Sequence, residues 1–143
     1  DLYLAGDLAG DFILPDMENI KHLGFLDQRE IARKIRNSLF VISPSRLPET
    51  FGLVALEAIK NGKPFIGFNS GAYGEIIENN KHGYLCATEE EMKERIAQLA
   101  TDEGLRILFS RQALERAKDF SGNIYYAKIM GIFEMLVGKK PKS

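Results

Sequence analysis

The chain has 143 residues, 45% of them hydrophobic, enough for one domain with a sizeable core. Its 19 basic and 20 acidic side chains leave a formal net charge of -1, a balance that excludes the basic excess of a nucleic-acid surface. No apolar run approaches the roughly 18 residues of a membrane span, and the single cysteine, Cys86, excludes an internal disulfide and points to a reducing, cytosolic setting.

The chain opens directly in strand-like sequence, which leaves its targeting undetermined. Leu2–Ala5 reads as a strand ending at Gly6-Asp7, and Ile20–Phe25 as a second, short strand. The segment Asp7-Leu8-Ala9-Gly10-Asp11 between them reads as a strand-end turn rather than a metal site. Asp27 has the character of a helix N-cap, with Glu30 three residues on as its capping-box partner. Ile31, Ile35 and Leu39 then recur at helical spacing among Arg29, Arg33, Lys34 and Arg36. The continuous apolar run Leu39–Ser43 reads as a buried strand, followed by a loop between Pro44 and Pro48.

A helix is predicted from Gly52 to Asn61, closed by Gly62 in the C′ position. Pro64–Phe68 is the next strand, Asn69–Ala72 a loop, Tyr73–Asn79 a short helix and Gly83–Cys86 the last strand. His82, in a turn-like stretch, is expected at the surface, and Cys86 buried and inert. Three helices complete the chain. Thr88 to Glu91 forms a capping box, with Met92, Ile96 and Leu99 as the inner face of the first. Leu105, Leu108, Phe109 and Ala113 mark the second; Ser121 caps the third, whose apolar stripe is Tyr125, Ile129, Ile132, Phe133 and Leu136. Residues 138–143 form a polar tail, expected to be solvated, whose three lysines suit contact with anionic lipid. The alternation of strands and helices predicts an α/β fold with a parallel sheet flanked by helices.

The stretch that carries chemistry runs from Ser43 to Ala58, in the order strand, loop, helix. In open α/β sheets ligands lie outside the carboxyl ends of the strands, where loops enter helices. A helix start near Gly52 presents free N–H groups from Phe51 to Val54, which attract phosphate, and a glycine there lets a ligand approach the backbone. Glu49 precedes that start and Glu57 follows it, about 8 Å further along the helix from Gly52. An unpaired buried carboxylate is costly, so Glu57 must find a partner or reach the mouth of the site. Two acceptors on either side of a phosphate-binding helix start are placed to grip hydroxyls at both ends of a sugar–diphosphate–nucleoside. Read alone, each carboxylate is an ordinary one, Glu57 paired with a neighbouring cation and Glu49 solvated. Arg46, just before Glu49, reads as a surface residue within reach of a phosphate.

Glu49 and Glu57, with seven residues between them, resemble the E-x7-E signature of the large retaining GT-B glycosyltransferase family often called group 1. Leu4-Ala5-Gly6-Asp7, Leu23-Gly24-Phe25, Pro44-Ser45, Gly62-Lys63-Pro64-Phe65-Ile66, Asn69, Gly71, Glu75-Ile76-Ile77 and Gly83-Tyr84-Leu85 fall in the same register. The resemblance spans about residues 2 to 137. It implies the Rossmann-like, carboxy-terminal, donor-binding domain of a hexosyltransferase, with no cofactor and no metal. Its partners would be a nucleoside-diphosphate sugar and, through an amino-terminal domain, a glycan or lipid acceptor. By the same resemblance Glu49 holds sugar hydroxyls and orients the donor as the catalytic residue without being a nucleophile. Thr50, Phe51, Gly52, Leu53 and Val54 line the sugar and phosphates, Glu57 accepts from the ribose, and Gly24 and Phe25 meet the base.

The sequence departs from the family in four places. The first strand, with the family's phosphate-binding Arg and Lys, has no counterpart before Asp1, and neither has the acceptor domain. Leu8 and Ala72 stand where the family usually has glycine. These departures predict a fragment of a longer enzyme, inactive alone and weak in donor binding. The residues leave two alternatives open: a non-catalytic nucleotide-sugar-binding module, or a subunit that pairs with a separate acceptor-binding chain.

Overall fold

The computed structural model describes residues 1–8, 10 and 13–138; the expected turn at Asp7–Asp11 and the polar tail lie partly outside these. The elements are β1 (Leu2–Leu4), β2 (Ile20–His22), α1 (Gln28–Asn37), β3 (Val41–Ser43), α2 (Leu53–Lys60), β4 (Phe65–Phe68), α3 (Tyr73–Ile76), β5 (Gly83–Cys86), α4 (Glu89–Thr101), α5 (Glu103–Lys118) and α6 (Gly122–Leu136). All strand pairing is parallel. β1 pairs with β2, Tyr3 opposite Lys21. β4 lies between β3 and β5, with Ile42 opposite Ile66 and Ile66 opposite Tyr84. The expected parallel sheet is thus present as two sheets, of two and three strands.

Both neighbours of β4 and the helices cover it, and every residue of β4 and β5 is buried. Their side chains alternate between two cores, as the period of two requires. Phe65 and Leu85 join Ala55, Ala58 and Ile59 of α2, Tyr73 and Ile76 of α3 and Ala113 of α5. Ile66, Phe68, Tyr84 and Cys86 face the other way, onto Met92 and Leu99 of α4 and Phe109 of α5. The sheet is therefore covered on both faces, and α5 serves both cores. Burial accounts for the inert thiol expected of Cys86, and pushes its pKa up, with the charge of Glu91 adding to the effect.

The helix ends follow their local chemistry. Asp27 accepts from the amides of Arg29 and Glu30 at 2.8 Å, and Glu30 accepts in return from the Asp27 amide at 2.9 Å, which completes the capping box. α2 closes in a Schellman turn, with Lys63 N–H donating to Ala58 O at 2.9 Å and Gly62 N–H to Ile59 O at 3.0 Å. Thr88 Oγ1 accepts from the Glu91 amide at 3.1 Å, but the Glu91 carboxylate accepts from the amide of Ala87, at 2.8 Å, rather than from that of Thr88. Ser121 caps α6 by accepting from the Ile124 amide.

Several expectations need correction. Leu39 is neither on the helix nor in the strand: it is 54% exposed, and β3 starts at Val41. The cause is Ser38, whose extended backbone ends α1 and whose hydroxyl donates to Ile35 O at 2.8 Å. The second strand ends at His22, and the helix after Ala72 ends at Ile76. Leu108 is half exposed while Phe109 and Ala113 take the inner face of α5. His82 is buried, because its Nδ1 accepts the Glu78 amide at 3.0 Å and draws the ring under its own turn. The stripe on α6 is real as a pattern but packs no core: no residue of α6 is buried, and Phe133 and Leu136 are among its exposed side chains.

Candidate functional site

The apolar run of β3 ends in a polar residue, Ser43, which is buried and shares a hydrogen bond of 2.8 Å with the Tyr73 hydroxyl. The chain then leaves the carboxyl end of the sheet. Leu47 N–H donates weakly to Ser45 Oγ, at 3.3 Å. Arg46 reaches across to the first turn of α4, with its Nη2 2.7 Å from Glu89 Oε1 and its guanidinium 5.1 Å from the centre of the Phe68 ring. It is the surface residue expected, and its charge is engaged by Glu89.

Glu49 is fixed through its backbone. Its carbonyl accepts the Ala72 amide at 2.8 Å. Gly71, with φ of +55°, lies so close that a Cβ there would stand 2.3 Å from Glu49 O and 2.6 Å from Glu49 N. A left-handed glycine is what allows the two loops to touch. Glu49 is a partly buried residue, and its carboxylate has no hydrogen-bond or ion-pair partner among the described residues. It lies on the side of Tyr73, whose pKa is raised first by burial and further by the negative charge of Glu49, against the lowering effect of the Ser43 hydrogen bond.

α2 begins immediately after. Gly52 is its N-cap, in the left-handed region at φ 65° and ψ 34°, and offers no side-chain cap. The first helical bond runs from Leu56 N–H to Gly52 O at 3.0 Å. The amides of Leu53, Val54 and Ala55 are therefore left without a capping acceptor, at the positive end of the helix dipole. The reason for Gly52 differs from the one expected. The space a side chain would fill is taken from within, by Ile76 Cδ1 at 2.7 Å and Tyr73 Cδ1 at 3.4 Å, so Gly52 is buried against the core. Thr50, Phe51, Leu53 and Val54 stand exposed around the helix start, Phe51 at 75%.

Glu57 sits one turn and a half into α2, half-buried. Its carboxylate also lacks a partner among the described residues; Asn61 bonds only its backbone carbonyl. Gly24 and Phe25 follow the end of β2, where the Gly6 amide donates to Gly24 O at 2.9 Å and Phe25 projects 83% exposed. No hydrogen bond or ion pair joins them to the Glu49–Glu57 segment among the described residues. The structure thus brings Glu49, the α2 start and Glu57 onto one loop–helix junction at the carboxyl end of β3, with Gly24 and Phe25 at the carboxyl end of the other sheet.

Two concavities lie at the opposite, amino ends of the strands. One of about 480 Å³ is lined by His82, Gln112 and Arg116, and one of about 330 Å³ by Leu39, Lys63 and Leu114. His82 titrates below the usual histidine range because it is buried, with the Arg116 charge reinforcing this. Among the described residues no group of three His, Cys, Asp or Glu side chains is placed to hold a metal ion, and no helix is long and apolar enough to cross a membrane. The sequence reading missed the Ser43–Tyr73 pair. Its only local signal is a serine closing an apolar strand.

Comparison with known proteins places this junction in context. The profile of a family described as "Glycosyl transferases group 1" matches residues 16–117. An uncharacterized glycosyltransferase of Methanocaldococcus jannaschii is 31% identical over 82% of the chain, which spans 35% of that protein. Anabaena HepE, solved with UDP-glucose, superposes with a TM-score of 0.65 and 28% identity over 71% of this chain and 28% of that one. The carboxy-terminal domain of a group 1 glycosyl transferase, LpcC of Francisella tularensis, gives 0.61 and 29% over 69% of this chain and 52% of that one. The chain spans between 16% and 35% of the length of the curated relatives it matches.

Proposed function

Because the chain belongs to the group 1 glycosyl transferase family and has its GT-B fold, we propose that residues 1–137 are the donor-binding, carboxy-terminal domain of a retaining hexosyltransferase. The observation that carries this reading is the pair of partly buried glutamates, Glu49 and Glu57, whose carboxylates have no partner among the described residues, on either side of an uncapped helix start. Carboxylates not engaged by a cation keep their acceptor oxygens free for the hydroxyls of a ligand.

In this reading the diphosphate of the donor sits on the free amides of Leu53 and Val54, where dipole and hydrogen bonds stabilise the charge that grows as it leaves. Glu49 accepts from the sugar hydroxyls and orients the anomeric carbon. Thr50, Phe51 and Gly52 form the wall beside the sugar. Glu57 accepts from the ribose hydroxyls, and Gly24 and Phe25 receive the base. During transfer the bond from the anomeric carbon to the diphosphate breaks, with its electron pair leaving on the diphosphate. The acceptor hydroxyl oxygen bonds to the same face of that carbon and passes its proton to the departing phosphate. The acceptor, a glycan or a lipid, is taken by an amino-terminal domain. HepE was solved with UDP-glucose, which makes uridine donors the first probes.

Titration calorimetry of the full-length protein with UDP, GDP and ADP sugars tests the reading. One of them is expected to bind, and Glu57→Ala to weaken that binding by about tenfold or more, as expected for a lost hydrogen bond to a charged acceptor. Binding of none, or unaltered binding by Glu57→Ala, refutes it.

A further inference from the structure

Resting on that reading, we infer that Tyr73 is a positioning residue of the donor site, its ring seating the Gly52 turn and its hydroxyl, held by Ser43, setting the place of Glu49. Tyr73 is fully buried, so it does not touch the donor. Its side chain nonetheless meets the end of β3 and the start of α2, and its chain neighbours hold the Glu49 backbone. Its hydroxyl bonds the last residue of β3 at 2.8 Å. Its Cδ1 occupies the space beside Gly52, 3.4 Å from where a Cβ would stand. The residue before it, Ala72, donates its amide to Glu49 O, and Gly71 packs on the Glu49 backbone. Phe65 packs against the ring at 4.8 Å between centroids, which fixes its plane.

The hydroxyl pair has a spare proton. Ser43 and Tyr73 each carry one O–H, and a single contact between them uses one. No other acceptor lies within hydrogen-bonding distance of either hydroxyl among the described residues. The Glu49 carboxylate is the charge that acts on the Tyr73 phenol from this side. The Ser43–Tyr73 bond ties the end of β3 to the segment whose Ala72 amide holds the Glu49 carbonyl, so its loss frees the Glu49 loop to shift against the helix start. Such a shift misaligns the carboxylate for the sugar.

Tyr73→Phe separates the two halves of the inference, since it keeps the ring and removes the hydroxyl. The test uses the full-length protein with three probe pairs: UDP and UDP-glucose, GDP and GDP-mannose, ADP and ADP-glucose. Affinity for the nucleoside diphosphate is measured by calorimetry. Turnover is measured as hydrolysis of the conjugate, in which water bonds to the anomeric carbon while the diphosphate departs and a proton passes to solvent. Tyr73→Phe is expected to leave diphosphate affinity within twofold and to lower kcat of hydrolysis by 5- to 30-fold. Ser43→Ala is expected to do the same, and the double variant to fall no further than either single one. Parental kcat in Tyr73→Phe overturns the inference, as does an equal loss of diphosphate affinity and turnover, which marks general damage. Glu49→Gln is run in parallel. If it inactivates while Tyr73→Phe does not, only the role of Tyr73 falls; if it keeps parental turnover, or if no probe binds, the reading of the site falls and the role of Tyr73 with it.

Discussion

Replacing Gly71 by alanine tests whether the Glu49 loop is held by a backbone contact that only glycine permits. Two costs add. The residue has φ of +55°, a conformation that strains an L side chain by about 1–2 kcal/mol. The new methyl also stands 2.3 Å from Glu49 O, 2.6 Å from its N and 3.0 Å from its C, all main-chain atoms that cannot rotate away. Forced overpacking of this kind costs about 1–3 kcal/mol. The sum, about 2–5 kcal/mol, is set against an unfolding entropy of about 0.3 kcal/mol per kelvin for 143 residues, so Tm falls by about 7–17 °C. Relief of the clash moves the Glu49 backbone, so donor affinity falls as well. Gly104 supplies the contrast. It lies in the first turn of α5, its nearest atom would be Asp102 Oδ1 at an ordinary 3.5 Å, and alanine there is expected to raise Tm by about 2–3 °C through helix propensity. Thermal unfolding followed by circular dichroism, with donor calorimetry beside it, reads both variants. Gly71→Ala melting within a degree of the parent, with unchanged donor affinity, refutes the reasoning.

Two further outcomes follow from the buried groups. His82 has its pKa lowered by burial, so the folded state favours the neutral ring; its contribution to stability is complete above the unfolded value near 6.5 and is lost as pH falls through the lower folded value. Urea unfolding at pH 7.5 and 5.0 is expected to show that loss in the parent and a shallower one in His82→Leu, which also costs about 1–3 kcal/mol at neutral pH by orphaning the Glu78 amide; equal acid dependence of the two proteins counts against the assignment. Cys86 is fully buried with its thiol pKa pushed up, so Ellman's reagent is expected to label it only as fast as the chain opens, and rapid stoichiometric labelling of the native protein at pH 8 contradicts that burial.

Where local chemistry decides the structure, the sequence was readable. Asp27 with Glu30, and Gly62 after α2, place helix ends because caps and C′ glycines satisfy backbone groups within a few residues. β4 and β5 read as buried strands because a sheet covered on both faces demands unbroken apolar runs. Leu39 was misread because helical spacing runs on past Ser38, and nothing in that spacing registers a hydroxyl turning back onto Ile35 O. His82 was misread for the same kind of reason. A histidine in a run of Asn, Lys and Gly has the composition of a surface turn, and the turn curls over its own imidazole. α6 shows the limit of pattern: an apolar stripe states that a face wants burial without stating against what.

The site divides along the same line. The carboxylates and the glycine that begins α2 lie within nine residues of one another, so their spacing alone brought them to one junction. What holds them there comes from elsewhere in the chain. Gly52 was read as making room for a ligand, yet the atoms that need its missing side chain belong to Ile76 and Tyr73. The Glu49 carbonyl is held by Ala72, and the polar end of β3 by the Tyr73 hydroxyl. The loop after β4 therefore acts as the back wall of the junction after β3, and the parallel pairing of these neighbouring strands, Ser43 opposite Gly67, is what brings the two loops to the same edge. A binding motif at the carboxyl end of one strand depends on the strand beside it, and the residues that give the motif its shape are spaced by sheet register rather than by sequence.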